Sequence, residues 1–459
     1  MTPADRPARP SVRSHRETHG GTGPGSGPVL AGRGPRVSTV VIGTLALILL
    51  VQRLVLPVGP SPVQLSILVA YGALALLLLT GQARADRMRA ELFMLAVALC
   101  LVATLTAAAM GSTPSLPSLG LLILLYLLWI YRVVPEATAS LITVARGFVW
   151  MMLVFASVGI VQLVSQFVGV WSYTDYVGEF LPPVLIDDSF NSSIPVVYGS
   201  PVHKANAFVF LEPSFFSQFT ALGAVVAVVT RAPAWQVLVL VGGVFSAVSG
   251  TGLIVLLVGG LLIAVRAGWL IRPVHVGALA LAAVGLLASP VAPLLTRRMG
   301  ETSQVGSSGY LRFVQPYAEV AGALREDPIR FLMGYGAGSV DRLLPSGREG
   351  REPVVYTIIP KLVFEYGLVA GGVLALFIVL VLLDRGAWRV VPGTVLVMIF
   401  LLSGSLLQPH TVVTAWLLTG LWAGGAGRRL DQLDRSRLLA DEGTDRGVGL
   451  PAPRGRLLL

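Results

Sequence analysis

One cysteine in 459 residues, Cys100, excludes an intrachain disulfide and any thiolate metal cluster. It lies inside an apolar run, where a thiol reads as a small core residue. Charge is scarce as well: Asp, Glu, Lys and Arg make up 13% of the chain, too little for a soluble enzyme with a single hydrophobic anchor. There are five histidines. His15 and His19 lie near the N-terminus and His275 on what the topology below makes the inner side. His203 and His410 face outward, and neither has metal-ligand spacing to a partner, so no metal site and no cofactor is expected. Alternating strand patterns are missing, which excludes a membrane β-barrel. The apolar runs are nearly free of ionisable groups: Arg53 and Glu212 sit near outer ends and His275 near an inner one. The charged relays of ion-coupled carriers are therefore absent.

What the chain has is apolar length. Hydrophobic residues account for 54% and the mean hydropathy is +0.77. Uncharged stretches of roughly 18 to 22 residues recur, each long enough to cross ~30 Å of hydrocarbon as a helix. The expected fold is an all-α polytopic membrane protein of about twelve transmembrane helices. Candidate spans are 37–58, 62–80, 90–110, 116–134, 141–170, 213–230, 234–249, 251–266, 274–293, 358–383, 391–407 and 410–427. The domain reading is a disordered cytoplasmic tail over 1–36, rich in Pro, Gly and Arg, a transmembrane domain over 37–427, and a basic cytoplasmic tail over 428–459. No apolar core lies within the first 30 residues, so a removable signal peptide is not expected.

Arginines in short connections alternate with span parity. Arg33 and Arg36, then Arg84, Arg87 and Arg89, then Arg132 and Arg146 fall on one side. Arg231, Arg266 with Arg272, Arg385 with Arg389, and Arg428, Arg429, Arg435 and Arg437 follow on the same side. Both termini are therefore expected on the cytoplasmic side. The net charge of +10 belongs largely to these tails and loops, and nucleic acid is not expected as a partner.

Two long connections fall outside, 171–212 and 294–357. The first combines Trp171, Tyr173, Tyr176 and Tyr198 with Asp175, Glu179, Asp187 and Asp188. Rings that stack on pyranose faces and carboxylates that accept hydroxyl hydrogen bonds suit a sugar; an interfacial aromatic belt is the alternative. The second carries Arg297, Arg298, Arg312, Arg325, Arg330, Arg342, Arg348 and Arg351, with nearly as many acids. Arg325, Arg342, Arg348 and Arg351 each adjoin a carboxylate and read as local ion pairs. Arg297, Arg298, Arg312 and Arg330 do not, and their guanidinium forks suit phosphate. Apolar positions from Tyr310 to Leu324 at helical spacing predict an amphipathic surface helix that Pro316 kinks or opens. The cluster Gly334-Tyr335-Gly336-Ala337-Gly338-Ser339 follows. It suits a phosphate cradle or a plain turn, and it lacks the strand-turn-helix context of a dinucleotide site. Gly367 with Gly371 and Gly420 with Gly424 read as helix-packing pairs.

In order along the chain, four stretches resemble the O-antigen polymerase and ligase superfamily. They are Phe210-Leu211-Glu212-Pro213-Ser214-Phe215-Phe216, Ser249-Gly250-Thr251-Gly252-Leu253, the outer loop with Arg312 and Gly334 to Ser339, and Lys361-Leu362-Val363-Phe364-Glu365-Tyr366-Gly367. The resemblance implies a polytopic, GT-C-like glycosyltransferase. Its donor would be a glycan on undecaprenyl pyrophosphate and its acceptor a hydroxyl on a second lipid-linked oligosaccharide, with membrane lipids and other polysaccharide assembly proteins around it. Ligases of the superfamily usually carry a histidine where this chain has Tyr356, which favours a polymerase and leaves the general base unassigned. The expected catalytic set is Arg312, Glu212 and His410. The substrate-binding set is Arg330, Arg297, Arg298, Gly334, Gly336, Gly338, Tyr335 and Lys204. Glu212 reads alternatively as the cap of the helix starting near Pro213, and Glu365 as structural. A ligase or oligosaccharide transferase, and a lipid-linked glycan flippase, are the rival functions.

Overall fold

The computed structural model describes residues 36–58, 62–134, 140–197, 199–267, 273–277, 305, 307, 309–344, 354, 356–384, 390–402 and 406–422. Apolar sequence that must satisfy its own amides becomes helix. The first helices are α1 (Val37–Val51), α2 (Leu65–Leu79), α3 (Arg87–Ala109), α4 (Leu116–Leu127) and α5 (Leu141–Phe167). Side-chain oxygens of Asp86, Ser115 and Ser140 accept backbone amides of the first turns of α3, α4 and α5, and so fix where each begins.

The loop after α5 holds a single-turn helix, α6 (Tyr176–Phe180). Then come α7 (Pro213–Val229), α8 (Ala234–Ser246) and α9 (Gly250–Ala267). Pro213 in the first turn of α7 sets its start, since the missing amide is unneeded there. Four short helices follow: α10 (Tyr310–Phe313), α11 (Gln315–Glu326), α12 (Pro328–Met333) and α13 (Val340–Leu343). The chain closes with α14 (Ile358–Leu383), α15 (Val390–Val397), a π-helical turn over Met398–Leu402, and α16 (Pro409–Leu418).

Helices α3, α5 and α14 are long and apolar enough to cross a membrane, and seven further apolar helical segments of 10–17 residues accompany them among the described residues. The sequence expectation for 116–134 runs too long. Helix α4 gives way to a 3-10 turn over Leu128–Ile130 and then to extended chain. The expected span at 274–293 falls almost wholly outside the described residues, as do the tails at 1–35 and 423–459. A little strand occurs within the expected all-α fold. Two short antiparallel pairs occur, β1 (Val55–Leu56) with β2 (Val63–Gln64) and β3 (Ala83–Ala85) with β4 (Tyr131–Val133). Each is two or three residues long and satisfies backbone groups where helices end, too short to leave an alternating pattern.

Helix α7 lies at the centre, buried from Phe215 to Val229 and packed on α5, α8 and α9. Between apolar helices close fit supplies the attraction, so small residues mark the crossings. At Gly252 any side chain would run into Ser217 of α7. Helix α14 packs on α3 and is broken at Gly367 (φ 70°, ψ 179°), so the pair Gly367/Gly371 is not the inter-helix packing motif its spacing predicts. Gly371 instead approaches Leu362 across the break. Gly420 does sit against Val381, while Gly424 lies outside the described residues.

Candidate active site at the outer loop

The approach to Glu212 is held by buried amides. Gln162, near the end of α5, accepts hydrogen bonds from the backbone amides of Asn206 (3.1 Å) and Ala207 (2.9 Å) and donates to the Asn206 side chain (3.2 Å). Asn206 in turn donates to the carbonyls of Ser192 (3.2 Å) and Phe210 (3.3 Å). This network secures two consecutive non-glycine residues in left-handed backbone, Ala207 (φ 51°) and Phe208 (φ 62°). Each costs on the order of 1–3 kcal/mol and persists only where its surroundings over-determine it. The visible signal was a pair of glutamines, Gln162 and Gln166, inside an otherwise apolar helix.

Glu212 occupies the N-cap position of α7, but its side chain does not cap. One carboxylate oxygen accepts from the Ser214 hydroxyl at 2.8 Å, which sets aside the capping role. The Ser214 carbonyl accepts from Thr251 (3.3 Å), and Thr251 is 3.0 Å from the Ser249 hydroxyl. Two of the sequence motifs, on the N-termini of α7 and α9, thus form one polar cluster.

Arg312, on α10, interacts electrostatically with the Glu212 carboxylate. Burial lowers the guanidinium from its ordinary value, and the Glu212 carboxylate draws it back up. Its Nε has no hydrogen-bond partner among the described residues. The surface helix divides at Val314, and Pro316 opens the second part, α11, as expected from its fixed φ and missing amide. Of its apolar face, Tyr317, Val320 and Leu324 line a groove of 630 Å³ closed by Phe331 and Ile359 and edged by Arg325.

Arg330 is otherwise employed. Buried at 5% exposure, it donates to the carbonyls of Gly334 and Met110 (both 3.2 Å), pairs with Asp327 at 3.4 Å and lies 4.9 Å above the Tyr335 ring. A phosphate-binding role is replaced by a structural one; Asp327 is one helical turn away, so adjacency in sequence hid it. Arg342 likewise ignores its neighbour Asp341 and donates to the carbonyls of Gly338 and Ala337 (both 3.1 Å).

The glycine cluster is no open cradle. The amides of Gly334, Tyr335 and Gly336 donate to the carbonyls of Arg330, Phe364 and Glu365, each at 2.8 Å. The glycines are required by positive φ and by contact: Gly334 and Gly367 pass so close that neither tolerates a Cβ, and Gly336 and Gly338 press on Pro114 and Ser115. Tyr335 stacks on Phe364 with centroids 4.5 Å apart, so it serves docking instead of substrate. Glu365 is fully buried, 3.7 Å from Lys361, which is also 3.7 Å from Asp341. That placement agrees with a structural Glu365. Tyr356 donates to Glu319.

His410 does not face outward. It is fully buried, edge-on to Phe215 at 4.8 Å, with neither ring nitrogen hydrogen-bonded among the described residues. It sits in the first turn of α16, which Pro409 opens, and packs against Phe215 and Phe219 of α7. Lys204 is also buried, at 7% exposure, which removes it from a substrate surface. Arg297 and Arg298 lie outside the described residues. In the first outer loop Asp175 is held by both arms of Arg53 (2.7 and 2.6 Å) and Asp187 by Gln64 (2.7 Å), so neither carboxylate is open to sugar. Burial alone would raise the Asp175 carboxyl, but Arg53, Ser192 and the Gly178 amide together hold it below its usual range.

Among the described residues, three helices long and apolar enough to cross a membrane mark a membrane protein, and the family model the chain matches places it among polysaccharide polymerases. Within that class the chain belongs to the WcaD colanic acid polymerase family, whose model matches residues 39–422. No curated protein matches it.

Proposed function

We propose that the protein joins lipid-linked oligosaccharide repeat units into polysaccharide on the outer face of the bacterial inner membrane, with undecaprenyl pyrophosphate as leaving group. The observation that carries this reading is Arg312, whose Nε has no hydrogen-bond partner among the described residues and whose charge interacts with Glu212. An acceptor hydroxyl attacks the anomeric carbon of the donor glycan, the bond from that carbon to the pyrophosphate oxygen breaks, and the lipid pyrophosphate leaves. The hydroxyl proton passes to Glu212, and Arg312 stabilises the charge that grows on the departing oxygen. One displacement inverts the anomeric configuration, and every bond made or broken is accounted for without a metal. The 630 Å³ groove between the surface helices and the start of α14 suits the apolar lipid chain, with Arg325 at its edge. The twelve-span topology with both termini in the cytoplasm belongs to the same proposal.

In a strain lacking its own copy, Arg312→Ala at normal expression is expected to leave only short glycans on a gel. Full-length chains would overturn the assignment. Purified protein given a lipid-linked repeat unit should yield products growing in repeat-sized steps, whereas a single transfer would identify a ligase.

A further inference from the structure

The first outer loop holds a ladder of rings. Trp171 stacks on Tyr176 (6.3 Å, 27°) and Tyr176 on Phe180 (6.3 Å, 17°), with Phe208 tilted or edge-on against Trp171 (5.6 Å) and Tyr176 (5.5 Å). Tyr176 and Phe180 are one turn apart on α6, which makes their rings parallel. The Trp171 indole donates to the Tyr176 hydroxyl at 3.0 Å. Phe180 is 80% exposed and Tyr176 38%, so the ladder ends in open ring face.

The ladder stands on a rigid base. Arg53 grips Asp175 immediately before α6 and donates to the Phe208 carbonyl at 3.1 Å, and the Ser192 hydroxyl closes on Asp175 at 3.0 Å. The glutamine–asparagine network described above fixes Phe208 in its left-handed turn. Phe208 precedes Glu212 by four residues, so their Cα atoms are at most about 14 Å apart. Exposed rings held parallel, with the exposed Glu179 on the same helix turn, match a pyranose. Its polarised C–H groups lie against the electron-rich ring face while its hydroxyls meet the acid.

We propose that Trp171, Tyr176 and Phe180 form a binding platform for pyranose rings of the acceptor glycan. Which glycan is bound rests on the polymerase reading; the binding itself is testable apart from it. The probe is a lipid-free oligosaccharide released by mild acid from the polysaccharide of the parent cell, titrated against full-length protein in nanodiscs. Saturation-transfer NMR is expected to show contact from aromatic protons to sugar C–H protons. Affinity should fall at least tenfold in Phe180→Ala, whose exposed side chain the fold does not need, and be unchanged in the exposed apolar control Val184→Ala. Absence of binding by the parent protein, or equal binding by both variants, overturns the platform; the latter result marks an interfacial belt. Loss of repeat-wise polymerisation with binding intact would instead count against the polymerase reading alone.

Discussion

Arg330 holds three parts of the chain at once: the turn at Gly334, the end of α3 at Met110, and Asp327 on its own helix. Arg312 holds none among the described residues and has only the charge of Glu212 for company. Hydrogen bonds to a charged group contribute about 1.5–3 kcal/mol. Arg330→Lys, which loses the fork, is therefore expected to destabilise by about that much, read as a lower Tm in detergent. Arg312→Ala gives up no hydrogen bond among the described residues and should lower the Tm less than Arg330→Lys. Its polymer yield should nonetheless drop by roughly two to three orders of magnitude, the cost of removing one transition-state donor. Equal losses of Tm in both variants would show that Arg312 is structural. The separation of these arginines was half visible in the sequence, because it singled both out for lacking an adjacent acid. Partners one turn away or on another helix do not register as neighbours.

Among elements, the telling contact is between the glycine turn and the broken helix α14. The carbonyls that α14 frees at Phe364 and Glu365 are met by the amides of Tyr335 and Gly336, so the break in one element is satisfied by the turn of another. Gly367→Ala is expected to undo this docking. Its φ of 70° is strained for an L-residue, and its Cβ would meet the Leu332 carbonyl. A loss of at least about 1–3 kcal/mol, with faster proteolysis of the outer loop, should follow. Gly322→Ala in α11, with open space around it, is the control and should be neutral or slightly stabilising. A Gly367→Ala protein as stable as this control would refute the docking. The surface helix and its proline were readable from period and residue type, since both are local properties. The purpose of the glycines was not: a positive φ suits a phosphate cradle and a close backbone crossing equally well.

At the scale of the molecule, the orientation proposed from arginine counts has a direct check, since the one native thiol, Cys100, is buried and silent. A membrane-impermeant maleimide should label Ser189→Cys in the exposed first outer loop of intact cells, and Arg87→Cys only after permeabilisation. The opposite pattern would invert the topology.

The sequence by itself determined the helical, apolar character of the chain and its two polar loops. Hydropathy and net charge accumulate residue by residue and survive any folding. Only the tertiary structure decided that Arg330, His410, Lys204 and the glycines are packed inside, while the Nε of Arg312 is left without a hydrogen-bond partner among the described residues. Whether a polar group is free depends on partners brought from distant segments, and no local pattern records them.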